Sequence, residues 1–137
     1  GRRVLDLFAG TGQLGIEALS RGAVECVFVD ESREAVAIVK ENLAKCRFTA
    51  KVVQADSIGY LRGAGKFDII FLDPPYDSDL LDKSLEIIQN VDILTEGGII
   101  VCESRREKSL PELKPPYVSA LTRNHGKVRI SVYKKEA

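Results

Sequence analysis

Asp73-Pro74-Pro75-Tyr76 concentrates more chemistry than any other four residues of this sequence. Proline fixes φ and has no N–H to donate, so two in a row hold the chain extended and leave acceptors at its mouth, the Asp73 carboxylate and the Pro74 carbonyl. An exocyclic amino group on a nucleic-acid base has two N–H donors to match them. Held on both, the nitrogen is drawn toward a pyramidal shape with its lone pair directed outward, and positioning of that kind supplies much of the catalysis. Tyr76 offers an aromatic face to a base taken out of its stack. The other reading of the segment is a rigid surface turn with Tyr76 half-packed.

A second constellation lies near the start of the chain. Gly10-Thr11-Gly12-Gln13-Leu14-Gly15 satisfies the G-x-G-x-x-G pattern, in which glycines let the backbone turn tightly and approach a ligand closely. Asp30 follows Gly10 by 20 residues, where a carboxylate can accept from both hydroxyls of a ribose. A nucleoside cofactor is the reading that joins the two. Asp6 decides which kind: a carboxylate just before the loop adds negative charge where a dinucleotide puts its pyrophosphate, whereas a ligand with an ammonium and a sulfonium welcomes it. The segment Asp6-Leu7-Phe8-Ala9-Gly10-Thr11-Gly12 therefore looks like the S-adenosylmethionine loop of class I methyltransferases. Asp56 and Ser57 after the third strand fit an adenine amino group, and Glu31 stands beside the ribose acid; the alternative for Asp56 is a helix N-cap.

These residues need a scaffold that brings strand ends together, and the sequence supplies one. Short apolar runs alternate with stretches of helical period, the pattern of a parallel sheet with crossover helices. The expected strands are Arg3 to Phe8, Glu25 to Asp30, Ala50 to Ala55, Phe67 to Leu72 and Gly98 to Glu103. The expected helices are Gln13 to Ser20, a segment capped by Ser32 and running to about Lys45, Ser57 to Leu61, and Asp79 to Asn90. Tyr117 to Thr122 and Lys127 to Lys134 read as an antiparallel hairpin turning through Asn124, His125 and Gly126. The expected fold is α/β and doubly wound: a mostly parallel seven-stranded sheet, helices on both faces, one antiparallel strand from the hairpin.

LDLFAGTGQLGIEALSRGA (Leu5 to Ala23), VFVDES (Val27 to Ser32), FDIIFLDPPY (Phe67 to Tyr76) and ESRR (Glu103 to Arg106) together resemble the bacterial guanine-N2 methyltransferases of small-subunit ribosomal RNA, across nearly the whole chain. The D-P-P-Y motif is shared with adenine-N6 and cytosine-N4 enzymes; the run Leu14 to Ala23 is more particular to the ribosomal group. The resemblance implies that Gly10, Gly12, Asp30 and Asp56 carry S-adenosylmethionine, and that Asp73, Pro74 and Tyr76 hold the target base. It also implies a partner, ribosomal RNA or the small subunit. Such proteins begin with a further hairpin and basic stretch, so this chain is expected to be one methyltransferase domain, residues 1–137, of a longer protein.

Composition sets the outer limits. With 137 residues, 45% of them hydrophobic and 29% charged, the chain suits one domain and excludes a disordered tail. Lys plus Arg and Asp plus Glu both number 20, so charge alone does not hold nucleic acid. The balance is uneven along the chain: residues 114–137 carry net +5 and residues 1–113 net −5. Arg105, Arg106 and Lys108 read either as phosphate contacts or as a charged loop. No apolar run reaches the roughly 20 residues of a membrane span, and a cytoplasmic protein is expected. Cys26, Cys46 and Cys102 form neither a disulfide framework nor a thiolate metal site, and no metal is expected. His125 is the sole histidine and lies far from any G-x-S-x-G context, which argues against a hydrolase. The remaining alternatives are an adenine-N6 or other amino-directed methyltransferase, a dinucleotide-dependent oxidoreductase, and an RNA-binding module without chemistry.

Overall fold

The computed structural model describes residues 1–137. Along the chain run β1 (Arg3–Leu7), α1 (Gln13–Ser20), β2 (Glu25–Asp30), α2 (Arg33–Cys46), β3 (Lys51–Gln54), α3 (Ser57–Gly63), β4 (Phe67–Leu72), α4 (Leu80–Val91), β5 (Leu94–Arg105), β6 (Tyr117–His125) and β7 (Val128–Lys135). The strands form a single seven-stranded sheet in the order β3-β2-β1-β4-β5-β7-β6. β1 to β5 pair in parallel, and β7 enters antiparallel between β5 and β6. This is the expected doubly wound architecture with its C-terminal antiparallel hairpin. The strand order reverses between β1 and β4, and ligands of such sheets bind in the crevice outside the carboxyl ends at that point.

Burial explains the order. β1 (RVLDL) is covered on both faces, and Val4, Leu5 and Leu7 are wholly buried. On one face Leu81, Leu85 and Ile88 of α4 meet Leu61 of α3 and the sheet residues Leu5, Ile70 and Ile100 in the main core. Each such side chain contributes about 1.5–3 kcal/mol by leaving water. On the other face Val39 and Leu43 of α2 meet Val4, Cys26 and Phe28, with Ile16 and Leu19 of α1 packed alongside. Gly15 makes that face possible: a Cβ there would come within 2.4 Å of the Phe28 ring and 2.8 Å of Cys26 Sγ, so only glycine lets α1 lie this close to β2.

Several boundaries differ from the sequence expectation, each for a local reason. β1 stops at Leu7 because Phe8 takes φ 63°, outside strand geometry. β5 begins at Leu94 and continues to Arg105. A register shift opposite Phe67 and Ile69, with Gly97 at φ 77°, absorbs the irregular start, and β7 pairs with the far end as Arg105↔Val128. The hairpin turn is also tighter than expected: His125↔Val128 is still a paired position, leaving Gly126 and Lys127 as the turn. Gly126 supplies φ 60° there. No helix is long and apolar enough to cross a membrane.

Candidate functional site

β1 ends in the glycine loop, and every turn of that loop is tied to a neighbour. Ala9 N–H donates to the Val29 carbonyl at 2.9 Å, Gly12 N–H to the Ala9 carbonyl at 2.8 Å, and the Asn42 amide of α2 to the Thr11 carbonyl at 2.9 Å. Gly12, at φ 82°, is the N-cap position of α1 and has no side-chain cap. Asp6 supplies one from below: its Oδ2 accepts the Gly15 N–H at 3.0 Å. Asp6 is 1% exposed, and burial pushes its carboxyl up to about 7, against the Gly15 hydrogen bond and with help from the Asp73 and Asp30 charges. Phe8 and Ala9 are half-buried, whereas Gly10 is exposed, with nothing within 4 Å of where its Cβ would stand.

Asp30 closes β2 and points back at the loop. Its Oδ2 accepts the Gly10 N–H at 3.0 Å and its Oδ1 the Ser32 N–H at 2.9 Å. Glu31 is exposed beside it. Ser32 caps α2 as expected, its hydroxyl accepting from Ala35 N–H at 3.2 Å. Asp56 follows β3 and caps α3, accepting the Gly59 N–H at 3.1 Å while remaining exposed, and Ser57 is buried behind it. The capping reading of Asp56 therefore holds, and its exposed carboxylate keeps lone pairs for a second partner.

β4 ends in Asp73-Pro74-Pro75-Tyr76. Pro74 is buried, Asp73 half-buried, and Tyr76 37% exposed. The parallel register Leu72↔Cys102 makes Asp73 and Glu103 neighbours where β4 ends and β5 continues along β7. The Tyr76 hydroxyl donates to Glu103 Oε1 at 2.9 Å. Burial, then the Glu103 carboxylate, pushes Asp73 up to about 6; burial and the bond to Glu103 push the Tyr76 phenol up to about 12. Arg105 lies over the Tyr76 ring at 5.4 Å and reaches Asp77 at 3.2 Å, so one face of the ring already carries a cation. Sequence reasoning places Glu103 only within ESRR and reads Arg105 as a phosphate contact or a charged loop, not as a partner of Tyr76; the signal that marks Glu103 is a carboxylate on the strand that pairs with the end of β4 beside D-P-P-Y.

Thus the crevice joins Asp6, Phe8, Ala9, Gly10, Gly12 and Asp30 to Asp73, Pro74 and Tyr76 across the β1–β4 boundary, with Asp56 and Ser57 at its β3 end. The notch lined by Pro74, Tyr76, Glu103 and Arg105 holds about 10 Å³, too little to admit an aromatic base. A larger cleft of about 500 Å³, lined by Leu110, Tyr117, Leu121 and Tyr133, lies on the C-terminal hairpin and includes none of these residues. No three His, Cys, Asp or Glu side chains converge as a metal site.

The profile of the family described as conserved hypothetical protein 95 matches residues 1–134. YlbH of Bacillus subtilis is 43% identical over 98% of this chain and 77% of its own length. Ribosomal RNA small subunit methyltransferase D of Escherichia coli K12 is 31% identical over 97% of this chain and 68% of its own length. A solved structure of a conserved hypothetical protein from Streptococcus pyogenes superposes with a TM-score of 0.92 at 32% identity, covering 99% of this chain and 87% of that one. The chain belongs to the conserved hypothetical protein 95 family, the family of the ribosomal RNA small subunit methyltransferase D proteins that its motifs resemble.

Proposed function

We propose that this protein transfers a methyl group from S-adenosylmethionine to the N2 amino group of a guanine in small-subunit ribosomal RNA. The observation that carries the reading is the meeting of an acceptor-only loop with a glycine loop at the sheet's switch point. The donor set fits the cofactor: Asp30 for ribose hydroxyls, Asp6 for an ammonium, Asp56 and Ser57 for an adenine, and an open space over Gly10 that no Cβ occupies. Glu31, Phe8, Ala9 and Gly12 complete that wall. When bound, S-adenosylmethionine supplies a methyl carbon made electrophilic by its sulfonium.

The chain's own residues do the rest. Asp73 and the Pro74 carbonyl accept the two amino hydrogens of the base and hold the nitrogen with its lone pair directed along the crevice. Tyr76 stacks the base on the ring face that Arg105 leaves open, since the notch behind it is too small. The proton that the amino nitrogen must lose passes to an Asp73 carboxylate oxygen, whose raised affinity for protons suits it to that task. Residues 1–137 are read as one domain carrying all of these groups, working in the cytoplasm where ribosomal subunits are.

The test is nucleoside mass spectrometry of small-subunit particles after reaction with isotopically labelled cofactor. Label in N2-methylguanosine is the expected result. Label in N6-methyladenosine, or binding of NAD in preference to S-adenosylhomocysteine by calorimetry, overturns it.

A further inference from the structure

Asp73 leaves the end of β4 beside Glu103 of β5, one residue beyond the parallel Leu72↔Cys102 pair, while β5 continues along β7. The Tyr76 hydroxyl donates to Glu103 Oε1 at 2.9 Å, and the Asp73 carboxyl lies within hydrogen-bond reach of the same side chain. The nearby guanidinium of Arg105 is paired with Asp77 instead. The Asp73 and Glu103 carboxylates therefore form a short row of acceptors across the β4–β5 boundary, with the Pro74 carbonyl next to Asp73 in the chain. Burial first, and then the Glu103 carboxylate beside it, raise the proton affinity of Asp73, so this pair of acceptors favours the arrival of donors.

The edges of the bases differ in what they offer such a row. Guanine presents its amino group next to a ring N1–H, two adjacent donors. Adenine, and the analogue 2-aminopurine, present an amino group next to a bare ring nitrogen lone pair. With the amino hydrogens on Asp73 and Pro74, Glu103 is the neighbouring acceptor left for that ring position. A carboxylate there gains a hydrogen bond from guanine and meets a lone pair in the others, and a polar group left unpaired in this way discriminates strongly.

We propose that Glu103 is the specificity-determining residue of this site, accepting the N1–H of the target guanine while the Tyr76 hydroxyl holds its side chain in place. The inference rests on the guanine reading above and deepens it. It assigns the choice of base to a β5 carboxylate outside the D-P-P-Y motif, which by itself leaves adenine and guanine open.

The experiment compares small-subunit particles rebuilt from ligated RNA with guanine or 2-aminopurine at the nucleotide that the wild type methylates. Both bases carry the 2-amino group, and they differ at N1–H and O6. The wild type is expected to methylate guanine about ten- to hundredfold faster than 2-aminopurine at limiting substrate. Glu103→Gln, whose amide can donate as well as accept, is expected to lose guanine turnover and bring the ratio to within a few-fold of unity. Its affinity for S-adenosylhomocysteine should stay unchanged. Glu103→Ala should move the ratio the same way, which guards against a folding defect in either variant. An unchanged ratio with equal losses on both bases overturns the inference and leaves Glu103 as a support for Tyr76 alone; a wild type that does not discriminate also overturns it. Wild-type label in N6-methyladenosine instead overturns the guanine reading itself, before either variant is made.

Discussion

The Gly10 N–H donates to Asp30 Oδ2 at 3.0 Å across 20 residues of sequence, so the glycine loop and the acid at the end of β2 move as one unit. Asp30→Ala therefore loses both the ribose acceptor and the anchor of the loop. A hydrogen bond to a charged acceptor is worth about 1.5–3 kcal/mol, so S-adenosylhomocysteine should bind roughly ten- to hundredfold more weakly. Calorimetry on a variant with an unshifted melting temperature checks this; undiminished affinity removes Asp30 from the cofactor wall.

Asp6 carries the clearest pH dependence of the fold. Its folded carboxyl titrates near 7, above the ordinary value of 3.8, so the folded chain keeps a proton that the unfolded chain releases between those values. Stability is thus greatest at the acid end of that window and falls as pH rises through about 7. Asp6→Asn keeps the acceptor for Gly15 N–H and removes the buried charge. It should unfold in more urea than the wild type at pH 8, by up to on the order of 3 kcal/mol, with the gap closing toward pH 4. The same variant should bind S-adenosylhomocysteine less well, having lost the partner for its ammonium. Parallel stability profiles of the two proteins would sink the assignment.

The parts legible in the sequence are those whose signal is local. The strand Phe67–Leu72 reads as a continuous apolar run because both its faces are covered, and Ser32 reads as an N-cap because its hydroxyl accepts within one helical turn. Gly15 was legible as part of a pattern, although its physical cause, the Phe28 ring beneath it, belongs to packing. Glu103 was not legible as a site residue. It joins Tyr76 across 27 residues, and only the register between β4 and β5 brings it beside Asp73. The start of β5, Leu94 to Gly97, is not legible for the same reason, since its pairing of Leu94 with Phe67 and the register shift that follows are properties of the sheet.

The hairpin tip brings the basic residues of two segments together. Arg106 N–H donates to the Lys127 carbonyl at 2.9 Å, and Arg129 reaches the Lys108 carbonyl at 3.5 Å. Arg105 and Lys108 are paired with Asp77 and Asp82, whereas Arg106 and Lys127 take part in no ion pair. As cations without an ion-pair partner beside Arg105, they are placed to meet phosphate. Reversing both, Arg106→Glu with Lys127→Glu, should weaken particle binding and reduce the slope of log affinity against log salt by about 1 to 2. S-adenosylhomocysteine binding should not change. A wild-type salt slope in the double variant would return these residues to the role of a solvated loop.

Asp73 links geometry, charge and turnover. Its carboxyl titrates near 6 because it is half-buried and because Glu103 faces it from β5; Tyr76 on its own loop and Asp6 on β1 are the other titratable groups nearby, and Arg105 is the cation. Below about pH 6 the protonated group cannot take up the amino proton. The kcat/KM profile, which reports the free enzyme, should therefore rise through about pH 6 and level off above it. Asp73→Ala should lower kcat by about 10²–10³-fold, as loss of one preorganised electrostatic partner does, with little change in S-adenosylhomocysteine affinity. Asp73→Asn keeps one acceptor oxygen and cannot titrate, so it should lose less turnover and also lose the acidic limb. Tyr76→Ala should cost less than Asp73→Ala, because stacking is worth about 1–3 kcal/mol and the Arg105 guanidinium partly replaces the ring. Turnover by Asp73→Ala equal to that of the wild type, or an acidic limb that survives in Asp73→Asn, would separate this carboxylate from the chemistry.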